Sequence, residues 1–196
     1  MTENINRQIR LAGRPVGLPK DSDWELAEEV MPTPDPGQVV VRNRFLSVDP
    51  AMRGWMNDRK SYVLPLPLGS VMRALTVGEV IASKNASFVA GDSVAGLGGI
   101  QTFSLGDGTD LQKIDLSLAP FPVWLDTLGI AGLTAYCGLL EIGEPRTGET
   151  VLVSGAAGSV GAHVEQIAKI KGCHAVGIAG GEKKCSYLTD ELGFDN

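Results

Sequence analysis

Ala156, Gly158 and Gly161 are the residues best placed for chemistry, because they occupy the three small-residue positions of a G-x-G-x-x-G spacing in the run GAAGSVG, residues 155–161. In that spacing the missing side chain at 158 lets a pyrophosphate lie against the backbone, and the one at 161 lets a helix approach the sheet closely. The helix N-terminus then offers unpaired N–H groups and a partial positive charge to the anion. The chemistry predicted is dinucleotide binding, with Ala156, Ala157, Gly158, Ser159, Val160 and Gly161 forming the cradle. Ala156 stands where the first glycine is usual, so the chain must turn there with φ below zero or accept modest strain. A tight turn needed only for packing is the competing reading.

The choice of nucleotide falls at the end of the next strand, where a carboxylate takes the ribose hydroxyls of NAD and a basic group takes the 2′-phosphate of NADP. Ala179, Gly180 and Gly181 leave that tip bare, and Lys183 and Lys184 follow within one turn. A lysine ammonium serves as a point-charge phosphate ligand, which favours NADPH. Glu182 at the same height has the character of an NAD-selecting acid, or of a first-turn residue favoured by the helix dipole. A solvated helix face is the alternative for the lysines.

These residues need a β-turn-α-β-α frame, and the sequence supplies one. Residues 151–154 (VLVS) form a short continuous apolar run of the kind buried in a parallel sheet. Val160, Val164, Ile167 and Ala168 predict one apolar helix face ending at Gly172, a left-handed cap. Residues 174–179 read as a second strand and 182–192 as a second helix. Upstream, Leu133, Tyr136, Leu139 and Leu140 are spaced as a single helix face. Residues before about 120 read as irregular β structure, with strands at 38–48, 74–81 and 92–95 and proline-rich surface connections at 31–37 and 64–69. The texture changes at 122–126, which divides the chain into a β-rich domain, 1–125, and a partial dinucleotide-binding domain, 126–196.

Composition narrows the function further. The 25 glycines and 11 prolines among 196 residues are scattered between apolar runs, which argues for many turns and against a helical bundle. A formal charge of −6 gives no electrostatic footprint for nucleic acid or anionic membrane. Cys137, Cys173 and Cys185 show no C-x-x-C spacing, and His163 and His174 complete no ligand set, so no metal site is expected. Both histidines read as structural. No signal segment or membrane span is read, and reduced thiols point to the cytoplasm. There is no G-x-S-x-G elbow and no phosphate loop of the G-x-x-x-x-G-K type.

The runs NRQIRLAGRPVGLP, FLSVDPAMRGWM, SYVLPLPLGSVMRA, GEV with GDSV, LGIAGLTAYCGLLEIGEPRTGETVLVSGAAGSVG and ELGFD are collinear over almost the whole chain. Through them the sequence resembles the zinc-independent branch of the medium-chain dehydrogenase/reductase superfamily, in particular the NADPH-dependent alkenal/one reductases, the group of leukotriene B4 12-hydroxydehydrogenase, prostaglandin reductase and curcumin reductase. The resemblance implies an α/β protein in which a GroES-like catalytic domain precedes a Rossmann domain, with a small α,β-unsaturated carbonyl substrate in the cleft between them. It implies hydride transfer from NADPH to the β-carbon of an enone, with a proton reaching the α-carbon from a tyrosine or from solvent. It assigns Lys184 to the 2′-phosphate and Thr134, in GLTAY, to the nicotinamide end. Tyr62, in SYVLPLPLG, matches a cleft tyrosine that orients the carbonyl or donates the proton; packing, with its hydroxyl at the surface, is the alternative. Homodimers are frequent among such relatives.

Three departures accompany the match. Ala51 replaces a tyrosine common after S-V-D-P, and Gly99, Ile100, Gln101, Thr102 and Phe103 replace G-W-Q-E-Y. The family also continues well past the position of Asn196, so a C-terminally truncated reductase is expected, with one face of a half sheet uncovered. A non-catalytic nucleotide-binding or structural homologue and an NADPH quinone reductase are the competing functions.

Overall fold

The computed structural model describes residues 4–59 and 61–195. Its chain divides into two compact units, Met1–Leu125 and Asp126–Asn196.

The first unit is mainly β. Strands β1 (Ile5–Leu11) and β2 (Trp24–Val30) pair as an antiparallel hairpin, Ile5 opposite Val30 and Leu11 opposite Trp24. The others are β3 (Val39–Leu46), β4 (Thr76–Ser83), β5 (Ser93–Gly96), β6 (Phe103–Gly106) and the two-residue β7 (Gln112–Lys113). They form one antiparallel sheet in the order β6-β3-β4-β5-β7. Valine at 39, 41, 80 and 94 packs with Phe88 in one core cluster. Branched side chains fill a pleated, buried surface well, which is why this run forms central strands. The N-terminal hairpin has no comparable apolar signal: Asn6 and Gln8 of β1 are buried, and their amides bond the Gln101 side chain at 3.1 and 3.2 Å. Asn6 Oδ1 also accepts from the Phe103 N–H at 2.9 Å. The hairpin is thus fixed by polar partners more than ninety residues away, and local sequence does not announce it. Two short helices complete the unit, α1 (Ala51–Trp55) and α2 (Phe121–Leu125).

In the second unit α3 (Ile130–Tyr136) runs into a π-helical turn, Cys137–Gly143, that ends at Glu144 with φ 45°. Then come β8 (Thr150–Ser154), α4 (Ser159–Ile170), β9 (His174–Ile178) and α5 (Glu182–Ser186), the last prolonged by a second π-helical turn, Tyr187–Leu192. The strands are parallel, with Thr150 opposite His174 and Ser154 opposite Ile178. Gly172 adopts φ 75° just past α4 and stops the helix. Val153, Ala156, Ala168, Ala175, Leu188 and Phe194 form the core. This is the opening β-α-β-α half of a Rossmann fold, and the unit before it is GroES-like.

One predicted helix face is corrected, and a second in part. On α3 the buried residues are Gly132 and Ala135, whereas Leu133 and Tyr136 are exposed, and only Leu139 of the predicted stripe is fully inside. The π-helical turn changes the helical phase after Tyr136, so residues before and after it no longer share a face. Gly132 also lets the helix start press on its own approach: a Cβ there would lie 1.9 Å from the Thr127 carbonyl oxygen. On α4 the predicted Ala168 is buried and Val164 and Ile167 pack against the core, but Val160 is exposed and the fully buried row is Gly161, Glu165 and Ala168.

Candidate functional site

The turn between β8 and α4 carries its strain on Gly155, whose φ is 61°. Ala156 is free of that demand; it is fully buried and donates its N–H to the Ile178 carbonyl at 3.1 Å, stitching the turn to the end of β9. Gly158 caps α4 in an extended conformation, φ −87° and ψ 168°, that any residue could adopt. A Cβ at 158 would meet only the Gly155 carbonyl oxygen, at 3.1 Å, so a larger ligand can approach from the open side. At 161 the helix touches the turn, and a Cβ would lie 2.7 Å from both Ala156 Cα and the Gly155 carbonyl oxygen. The N–H groups of Ala157, Ser159, Val160 and Gly161 have no acceptor among the described residues. Free donors at the positive pole of a twelve-residue helix, beside a backbone surface bare of side chains, fit the diphosphate of a dinucleotide.

A pocket of about 370 Å³ adjoins the turn, lined in part by Asp126, Gly158, Ser159, His163, Gln166 and Tyr187. A polar network closes one side. The Ser159 hydroxyl donates to Asp126 Oδ1 at 2.7 Å. His163 Nδ1 lies 2.6 Å from the Ser159 carbonyl, which can only accept, so Nδ1 donates to it. Nε2 lies 3.1 Å from the Thr127 hydroxyl oxygen and 3.7 Å from Asp126 Oδ2. A second, apolar pocket of about 400 Å³ is lined by Leu133, Tyr136, Ile167 and Ile170 among others.

The remaining predicted residues are more scattered. Gly180 and Lys184 are exposed beyond β9, and neither Lys183 nor Lys184 enters an ion pair with the described residues. Thr134 is on the exposed side of α3, its hydroxyl without a partner among the described residues, and it lines neither of the pockets above. Tyr62 belongs to the first unit, 80% exposed, and its phenol oxygen accepts from the Trp55 indole.

Sequence reasoning passed over two features. The Asp126, Thr127, Ser159 and His163 network joins residues 33 and 36 positions apart and leaves no local signature. Glu165 breaks an otherwise apolar or small inward row: it is fully buried, and neither carboxylate oxygen has a hydrogen-bond partner among the described residues. Burial pushes its carboxyl above the ordinary range, against a partial pull from Lys169 and with Asp195 adding to the rise.

Residues 7–114 match the family described as the N-terminal domain of oxidoreductase. The putative NADP-dependent oxidoreductase YfmJ of Bacillus subtilis is 49% identical over 189 residues, 96% of this chain and 56% of that protein. The NADPH-dependent curcumin reductase of Escherichia coli is 46% identical over 191 residues, 97% of this chain and 55% of that one. Among solved structures, CurA from Vibrio vulnificus in complex with NADPH has a TM-score of 0.90 at 43% identity, over 97% of this chain and 56% of that chain. The chain spans about half the length of the curated relatives it matches.

Proposed function

Because this chain belongs to the oxidoreductase family defined by that N-terminal domain, we propose that it binds NADPH and reduces the carbon-carbon double bond of small α,β-unsaturated ketones and aldehydes. The observation that carries the reading is the β8-α4 turn: free N–H groups face a surface that the absent side chain at 158 keeps open, while the absent side chain at 161 lets the start of the helix press against the turn. The second unit, 126–196, takes the dinucleotide. Residues 156–161 hold its diphosphate, Gly180 leaves room at the strand tip, Lys184 pairs with the 2′-phosphate, and Thr134 serves the nicotinamide end. NADPH, when bound, supplies a hydride to the β-carbon of the enone. Tyr62 of the first unit donates the proton that completes the new C–H bond at the α-carbon, and its exposed phenol is restored from water. The curcumin reductase and NADPH complex named above support the cofactor and the reaction class.

The test is NADPH consumption with a simple 2-alkenal or 2-enone, beside NADPH affinity followed by the coenzyme's fluorescence. Turnover with the alkenal exceeding that with a quinone is the expected result. Affinity without consumption would instead make the chain a nucleotide-binding homologue without catalysis, and faster quinone turnover would reassign the substrate.

A further inference from the structure

Tyr62 is held by a residue that the reaction does not otherwise use. The indole N–H of Trp55 donates to the Tyr62 phenol oxygen at 3.3 Å. Trp55 closes α1 and is half-buried against the cluster of Met52, Met56 and Leu66. Its carbonyl accepts from the Leu66 N–H at 3.0 Å, and the Arg73 guanidinium donates to the Leu64 carbonyl at 2.7 Å. The segment that follows Tyr62 is therefore fastened to α1 at its far end by backbone and at its near end by the indole. An indole N–H can only donate. The phenol oxygen consequently spends a lone pair on Trp55, and its own O–H is left to point at something else.

We propose that Trp55 is a positioning residue for proton donation by Tyr62, an inference that rests on the enone-reductase reading above. As the Tyr62 O–H bond breaks and the C–H bond at the α-carbon forms, negative charge gathers on the phenol oxygen. The indole N–H meets that charge with a charge-assisted hydrogen bond, stronger than the one it makes to the neutral phenol. The contact thus favours the transition state over the ground state. Water, which reaches this exposed side chain directly, then returns the proton.

Two measurements test this. The chain has three tryptophans, so its indole N–H groups give three signals in a proton-nitrogen correlation spectrum, and Trp55→Phe identifies one of them. Tyr62→Phe removes only a hydroxyl from an exposed ring and should move the Trp55 signal upfield and speed its exchange with water. In enone turnover, Trp55→Phe should lower kcat roughly three- to tenfold, the worth of one hydrogen bond, with KM for NADPH unchanged. The same change made in Tyr62→Phe should have no further effect. An indole signal indifferent to Tyr62→Phe, or an equal loss from Trp55→Phe with and without the hydroxyl, overturns the pairing while leaving enone reduction intact. Full activity in Tyr62→Phe removes Tyr62 and Trp55 together. Absence of turnover in the unaltered protein overturns the reaction itself.

Discussion

Replacing Glu165 by methionine should stabilise the protein, and by an amount that depends on pH. The carboxyl is fully enclosed, with both oxygens unpartnered among the described residues. Burial raises it above its ordinary 4.5; Lys169, one turn along α4, offsets part of this, and Asp195 reinforces it. An unfolded chain ionises the group near 4.5, whereas the folded chain keeps the proton to higher pH. Stability is therefore fullest below that value and is lost as pH climbs from it through the raised folded value. Methionine keeps the length and helix propensity of the side chain and removes both orphaned oxygens. A buried polar group without a partner costs about 1–3 kcal/mol; with Lys169 compensating in part, about 1–2 kcal/mol should be recovered at pH 8 and less at pH 4. For a unit of this size each kcal/mol raises Tm by about 4–8 °C. Thermal unfolding followed by circular dichroism at the two pH values measures it, with Glu165→Gln as the variant that abolishes ionisation but keeps a polar head. A Glu165→Met protein that melts lower at both pH values, or gains equally at both, would refute the reasoning.

Gly161→Ala should cost about 1–3 kcal/mol of stability through overpacking, because its Cβ has backbone within 2.7 Å. Gly158→Ala has an unstrained backbone and one close neighbour, so it should melt near the unaltered protein while NADPH affinity, read by fluorescence titration, falls at least tenfold; equal losses of stability in the two variants would contradict this. Lys184→Ala should weaken NADPH binding by about tenfold and leave NADH binding unchanged, and an unaltered preference for NADPH would take the 2′-phosphate away from that lysine. Asp195 accepts the Ala175 N–H at 2.8 Å, which holds its carboxyl below 3.8, with Lys169 helping. Its contribution is present above that value and disappears as pH falls through the lowered one, so Asp195→Ala should flatten the acid limb of a denaturant-midpoint profile; a limb of unchanged steepness would count against it.

The parts of the fold that were readable from sequence are those whose signals are local. VLVS is apolar without interruption, GAAGSVG packs small residues into one turn, and Gly172 sits where only a left-handed cap explains it, so β8, α4 and β9 could be placed. The hairpin of β1 and β2 could not, because INRQIRL and WELAEEV put charge and amide groups on half of their positions, and the amides that go inside find Gln101 only after folding. The α3 face failed for a different reason: a 3.6-residue period assumes an uninterrupted helix, and the π-helical turn from Cys137 breaks it. The glycine turn was legible as an anion cradle. Neither the Asp126 bridge to Ser159 nor the Trp55 bond to Tyr62 was, since each depends on a side-chain meeting that spacing does not encode.

The transfer of the left-handed residue from 156 to 155 alters what a mutational scan would find at this turn. At the alanine, burial limits the choice to small residues, with glycine costing backbone freedom and a buried methyl; one step earlier the limit is backbone, where every side chain must accept a positive φ. A fingerprint that asks for glycine by position would overlook this loop, whereas one that asks which residue bends the wrong way would recognise it at once.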